Sequence, residues 1–345
     1  MMLNKTSPII AKAKLFFVSA FACYSATVSA LTFELPSNGD NVVGKVYHIA
    51  ALPGDTFAKI GRRYNVGYYS LVEANPGINP SRIEAGTPLV VPAKFVLPAV
   101  ARTGIVVNLA ELRLYYFPPN RREVITYPVG IGREGWDTPI GISYIGSKSK
   151  NPTWYVPESI RNFRASEGVI LPRSVAPGPN NPLGGYALRL ASTTYLIHGT
   201  NDYTGVGRRS SSGCIRMLPE DVERLFDEVQ PKTPINIINA PYKLGWLADK
   251  LYFEAHVPLE KPQEKDDAGL SPLTALITRM NAHRPAKIDW DTVNQIAHEQ
   301  NGIPQQIGYA TGPWLRPLST KVSTKPLQVY QTKVKKTSKS AKERA

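Results

Sequence analysis

Apolar and polar residues alternate with a period of two over much of residues 103–239. In "IVVNLAELRLYYF" Ile105, Val107 and Leu109 share one face, the alternation breaks at Ala110 and Glu111, and it resumes with Leu112, Leu114 and Tyr116, which predicts a β-hairpin. Further short strands are predicted in "EVITYPVGIG", "GISYIGSK", "YALRLA", "TYLIHG" and "PINIIN", with loops rich in Pro, Gly and Asn between them. Strands at this density, with one helix expected in "LPEDVERLFDEV", predict a mainly β sandwich or barrel.

The pattern changes on both sides. Over residues 47–92 Asp55 or Thr56 can cap a helix whose apolar face is Phe57, Ile60 and Tyr64; "SLVEAN" then reads as a second helix stopped by Asn-Pro-Gly, and "TPLVVP" as a closing strand. The outline is strand, helix, helix, strand, a small α+β module within a segment spanning 31–98. After the β region, "SPLTALITRMNAH" and "DWDTVNQIAHEQNG" predict two helices and make 240–310 a small helical C-terminal region.

Residues 1–30 carry Lys5, Lys12 and Lys14 and no acid, then an apolar run closing on Val28, Ser29 and Ala30. This is the layout of a secretory signal peptide cut after Ala30, which also removes Cys23; the run is too short and too rich in Ser and Thr for a membrane span. The chain is therefore expected to be exported and not an integral membrane protein. The net charge of +14 loses its nucleic-acid connotation once located: the signal holds three of those charges and the tail 311–345 a further excess of eight, so the rest carries only +3. The tail has too few large apolar residues to build a core and is expected to be disordered.

Cys214 is then the one cysteine of the exported chain, sixteen positions after His198. A cysteine attacks only as thiolate and needs a base or a positive field beside it, with donors for the oxyanion. His198 closes a predicted strand, Gly199 frees the backbone after it, Ser212 and Gly213 lead into the cysteine, and Arg216 lies on the cysteine's side of an extended segment, able to grip a carboxylate. Taken singly, a lone cysteine is most often a small buried hydrophobe, and a histidine at a strand end a satisfied core residue. A metal site is disfavoured, because the remaining histidines (His48, His256, His283, His298) lack ligand spacing, and no cofactor motif is evident.

Two resemblances add to this. "Y-x-I", "GDTFAKI", "ANPGI" and "G-x-P-L-x-V-P" resemble the lysin-motif (LysM) module, with Pro53 in a longer first loop and Gly61 where the family prefers alanine; this implies binding of glycan strands. The run H-G-T followed by S-x-G-C-x-R-M, with "GIVVNLAELRLYYFPP", "YPVGIGREGWDTPIG", "NPTWYVPESIR" and "PGPNNPLGGYALRL", resembles the YkuD-type L,D-transpeptidases of the Gram-negative periplasm. The resemblance implies a transferase of cell wall biogenesis: Cys214 forms an acyl-enzyme with peptidoglycan tetrapeptide stems, releasing D-alanine, and an amine resolves it. It makes His198 the base, Gly199 its orienting carbonyl, and the Gly213 and Cys214 amides the oxyanion hole. Ser212 stands where many members have a second histidine. Thr138, in a Thr-Pro turn, is a candidate substrate contact beside Arg216, and Trp136, Trp154 and Tyr155 read as core or groove wall, with the core favoured. The acceptor implied is a diaminopimelate amine, a lysine of an outer-membrane lipoprotein, or water, which would give a carboxypeptidase; a non-catalytic wall-binding protein and an ordinary cysteine protease are the competing classes. Carbapenems are the inhibitors implied.

Overall fold

The computed structural model describes residues 30–37, 39–259 and 271–314. The expected signal peptide, apart from Ala30, and the basic tail beyond residue 314 lie outside the described residues. Among the described residues no helix is long and apolar enough to cross a membrane.

The predicted strands join Leu31–Glu34 and Ile215–Arg216, which were not predicted, in one nine-stranded sheet. Its order is Leu31–Glu34, Glu123–Pro128, Arg113–Phe117, Gly104–Asn108, Pro234–Ile238, Gly141–Lys150, Tyr186–Leu190, Leu196–His198 and Ile215–Arg216. Neighbours run antiparallel except at two places, Pro234–Ile238 beside Gly104–Asn108 and Leu196–His198 beside Ile215–Arg216. Parallel neighbours need a crossover. The helix Pro219–Glu228 carries the chain from the Ile215–Arg216 edge back to the centre of the sheet. Ile105, Val107, Leu114, Tyr116, Ile125 and Tyr127 at one side of the sheet and Ile197 and Ile215 at the other meet in a single core with Val222 and Leu225 of that helix, so the sheet is curled around it. The fold is thus mainly β, as expected.

The LysM-like residues form a hairpin, Val42–Ala50 antiparallel to Pro88–Val96, and two helices, Phe57–Tyr64 and Tyr68–Ala74. Thr56 is the cap, accepting from the Lys59 N–H at 3.3 Å, while Asp55 accepts from the Leu52 N–H and from Arg63. The module is not a bead on a string. Its Val43, Phe57, Ile60, Val91 and Phe95 share one apolar cluster with Val106, Tyr115, Phe117 and Val124 on the outer face of the large sheet. Both faces of Gly104–Asn108 and Arg113–Phe117 are therefore covered, and every residue of those strands is buried.

In 240–310 the two expected helices are present as Pro272–His283 and Trp290–Glu299, capped by Ser271 and Asp289. Four strands accompany them that the sequence pattern did not reveal: Tyr242–Leu247, Lys250–Ala255, Gln305–Ala310 and Ala286–Ile288, in that spatial order and all antiparallel. The helices pack on one face of this sheet around Trp246, Phe253, Ile277 and Ile296.

A buried ionic cluster joins the three parts. Lys243 lies 2.7 Å from both Glu111 and Glu254 and donates to the Val96 carbonyl at 2.8 Å. Glu254 also accepts from the Val96 N–H at 2.6 Å and meets His256 at 2.6 Å, and Glu111 accepts from Tyr115. Burial pushes the Glu111 pKa up, but Lys243, His256 and Arg113 together hold it below the ordinary value. Glu111, Glu254 and His256 lie close enough to hold a metal ion. The Lys243 ammonium already bonds both carboxylates and supplies the positive charge there.

Candidate active site

His198 and Cys214 come together through the parallel edge of the sheet. Register pairs Ile197 with Ile215 and His198 with Arg216, which sets Cys214 beside Leu196. Successive side chains of a strand point to opposite faces. Ile197 and Ile215 enter the core, so His198, Cys214 and Arg216 share the other face, with imidazole and thiol on adjacent strands two positions apart. Diagonal neighbours of this kind have Cα atoms roughly 7–8 Å apart, within reach of a histidine ring.

The histidine is set up as a neutral base. His198 is buried, and its Nδ1 lies 2.6 Å from the Gly199 carbonyl, which accepts the ring proton and leaves the Nε2 lone pair free. Burial, then the nearby Arg216 charge, lowers the His198 pKa to about 4 against the opposing pull of the Gly199 bond. A side chain at position 199 would press on Val222 at 3.1 Å. Cys214 is half-exposed, and packing around its thiol raises the pKa above the usual 9.0; the Leu196 N–H, Arg189 and Arg216 pull it back only in part. The pair therefore rests as thiol and neutral imidazole.

The turn into the cysteine is fixed by hydroxyls. Gly213 has φ +103°, and a Cβ there would lie 2.6 Å from the Tyr195 ring, so the position is confined to glycine. Its carbonyl accepts from the Thr138 hydroxyl at 2.9 Å, whose oxygen in turn accepts from the Gly132 N–H at 3.0 Å. Its N–H donates to Ser211 at 3.1 Å, and the Ser211 hydroxyl donates to the Cys214 carbonyl at 2.5 Å. The Gly213 N–H is thus turned to the Ser211 hydroxyl, while in the planar Gly213–Cys214 peptide the Cys214 N–H points away from Thr138. Thr138 is itself buried with its hydroxyl engaged on both sides, and it braces the Gly213 carbonyl. Ser211 was not singled out from sequence; the repeated serines at 210–212 gave no sign of which one would turn inward.

Arg216 and Ser212 point elsewhere than the cysteine's open side. The Arg216 guanidinium reaches towards Gly205 and Ser210, with Asp202 near enough to act on it electrostatically, and so tends the loop that links His198 to Cys214. Ser212 accepts from Arg133 at 3.5 Å, and Arg133 stacks between Trp136 and Phe163. The expectation of core aromatics is not met: Trp136 and Trp154 are half-exposed and Tyr155 is 77% exposed. The helix Glu158–Ser166, which carries Phe163, buries none of its residues and leans its aromatic side on Trp136.

The linking loop rests on the LysM-like module. The Gly207 carbonyl accepts from the Tyr69 N–H at 3.1 Å, Arg208 stacks 3.4 Å from the Tyr68 ring centre, and Arg62 faces Tyr203. Arg62 also pairs with Glu220 at 2.7 Å, and the Asn65 amide donates to both oxygens of Asp221 at 2.9 and 2.8 Å. Both acids open the helix that follows the cysteine strand. Asn65 holds φ +52° and ends the first module helix; alanine at Gly61 would bring its Cβ within 2.8 Å of the Val66 carbonyl, which accounts for the glycine in that helix.

Comparison with known proteins follows the same lines. Residues 102–237 match the model of the YkuD family, the L,D-transpeptidase catalytic domain, and residues 52–92 that of the LysM domain. The chain is 37% identical to the probable L,D-transpeptidase YcfS of Escherichia coli (strain K12) over 85% of its own length and 93% of the relative's. It is 35% identical to the probable L,D-transpeptidase ErfK/SrfK of Salmonella typhimurium over 85% and 95% of the two chains. With the probable L,D-transpeptidase YbiS of E. coli (strain K12) it shares 34% identity over 86% and 99%.

Proposed function

The chain belongs to the L,D-transpeptidase family and is an enzyme of that class, and from this premise we propose that it transfers acyl groups between peptidoglycan stems through a thioester on Cys214. The observation that carries the reading is the shared face of His198 and Cys214 at the parallel edge, with the ring nitrogen Nδ1 tied to Gly199. As the sulfur attacks the carbonyl at the L-centre of diaminopimelate in a tetrapeptide stem, its proton passes to His198 Nε2, and the Cys214 N–H faces the developing oxyanion. The C–N bond then breaks and the departing D-alanine amine takes that proton, leaving the thioester and a neutral imidazole. An acceptor amine attacks the thioester, gives its proton to His198, and the thiolate leaves and is reprotonated.

The acceptor is a second diaminopimelate amine, giving a 3-3 cross-link, or a lysine of an outer-membrane lipoprotein, giving anchoring. The LysM domain engages the glycan strand, and the leader at 1–30 delivers the enzyme to the periplasm. Carbapenems acylate the same sulfur. Muropeptide analysis of a strain lacking its own L,D-transpeptidases, expressing this chain or its Cys214→Ala variant, tests the proposal. New 3-3 cross-links or lipoprotein-linked stems with the first chain alone are expected. Tripeptide stems without cross-links would replace transfer by hydrolysis, and walls unaltered by either chain would overturn the enzymatic reading.

A further inference from the structure

The open side of Cys214 is lined by a row of residues that run across the strands. Leu196 lies beside the cysteine, Arg189 is the register partner of Leu196, and Ser147 is the partner of Arg189. Arg189 therefore stands on the face that carries the thiol and the imidazole, while its neighbours Leu188 and Leu190 enter the core. Two strand spacings separate its backbone from the cysteine, about 10 Å. Arg189 is exposed, and among the described residues its side chain makes no hydrogen bond or ion pair. It is near enough for its charge to favour the thiolate. Arg216, the carboxylate clamp expected from sequence, is turned into the 201–211 loop and leaves this position to Arg189.

We propose that Arg189 binds the terminal carboxylate of the acyl donor and so selects stems in which a single residue follows the scissile bond. The inference rests on the acyl-transfer reading above. A guanidinium receives a carboxylate through two parallel N–H donors, which fixes both the position and the plane of the bound group. Consecutive Cα atoms are 3.8 Å apart, so the carboxylate of a one-residue leaving group lies about 4 Å from the attacked carbonyl, in the gap between Cys214 and the Arg189 side chain. A second residue after the scissile bond moves the carboxylate about one residue length further and puts an uncharged peptide group in the gap. The donor carboxylates further back along the stem lie on the acyl side of the carbonyl and are retained in the thioester. The arginine thus reads the leaving group and has no hold on the acyl-enzyme once that group departs.

The test uses full-length enzyme and three soluble donors: the tetrapeptide stem with a free C-terminus, the same tetrapeptide as its C-terminal amide, and the pentapeptide. Wild type is expected to prefer the free tetrapeptide over the amide by about 10- to 100-fold in kcat/KM, the range of one charged hydrogen-bonded contact. Arg189→Gln should lose that same factor on the free acid and nothing more on the amide, and Arg189→Lys should recover part of it. The discrimination against pentapeptide should shrink together with the preference for the acid. Equal losses by Arg189→Gln on acid and amide, or a wild type indifferent to amidation, would overturn the assignment. Iodoacetamide labelling of Cys214, followed by intact mass, separates this from failure of the parent reading: an enzyme whose thiol is labelled but which acylates with no donor sinks the acyl-transfer proposal, and the role of Arg189 with it.

Discussion

At the scale of single residues, the resting pair is a thiol and a neutral imidazole, because burial moves the two pKa values in opposite directions, His198 down to about 4 and Cys214 upward. Thiolate is the alkylated species, so the rate of Cys214 labelling by iodoacetamide should climb with pH up to and beyond about 9, with Cys214→Ala as the blank. A rate already flat near neutrality would instead reveal a preformed thiolate–imidazolium pair. The chemistry singled out Cys214 and His198 in one stretch, the resemblance added the Gly199 carbonyl, and the register of the two strands puts both side chains on one face. The hydrogen bonds that set the turn were not legible. Thr138 lies 75 positions from the carbonyl it holds, and among Ser210, Ser211 and Ser212 only tertiary packing decides which hydroxyl faces the Gly213 N–H.

At the scale of elements, the helix after the cysteine carries Asp221 in its first turn, buried against the Asn65 amide. Burial raises its pKa to about 7, with the Asn65 bond pulling the other way. A carboxyl whose folded pKa exceeds its unfolded value of 3.8 adds stability that is complete below that value and is lost as pH rises through the folded pKa. The melting temperature of Asp221→Asn, which cannot titrate, should therefore gain on that of wild type as pH increases from about 4 to about 8. A difference that stays constant over that range would show that Asp221 does not titrate in the folded protein. Element prediction followed the strength of the local signal. The hairpin at 104–117, the module helices and the two C-terminal helices have clear periodicity or caps. The hairpin Tyr242–Leu247/Lys250–Ala255 escaped because its two-residue turn places Ala248 at φ +53° without the Gly or Asn that usually marks such a turn. The helix Glu158–Ser166 escaped because it buries no residue and so has no apolar stripe to read.

At the scale of the whole molecule, changes of pattern along the chain suggested separate parts, and nothing local in the sequence marks the contacts between them. Lys243, Glu111 and Glu254 are each unremarkable charges in the chain, and only the fold brings them together with the Val96 backbone, at 3% side-chain exposure or less. Removing one member of a buried ionic group leaves the others uncompensated, at a cost of about 3–5 kcal/mol. Urea unfolding of Lys243→Met should accordingly show a loss of about that size in unfolding free energy. A loss below about 1 kcal/mol, the worth of a solvated pair, would mean that water enters the junction in solution.

The apolar cluster shared by the LysM module and the outer face of the sheet changes what a wall anchor does for this enzyme. A flexible leash lets a catalyst sweep every stem inside its radius. On the proposed function, a grip that is part of the same solid body would work as a caliper: with the module seated on a sugar strand, the sulfur would stand at one offset along and around that strand, and the stem that reacts would be the one that the screw of the glycan brings to that offset.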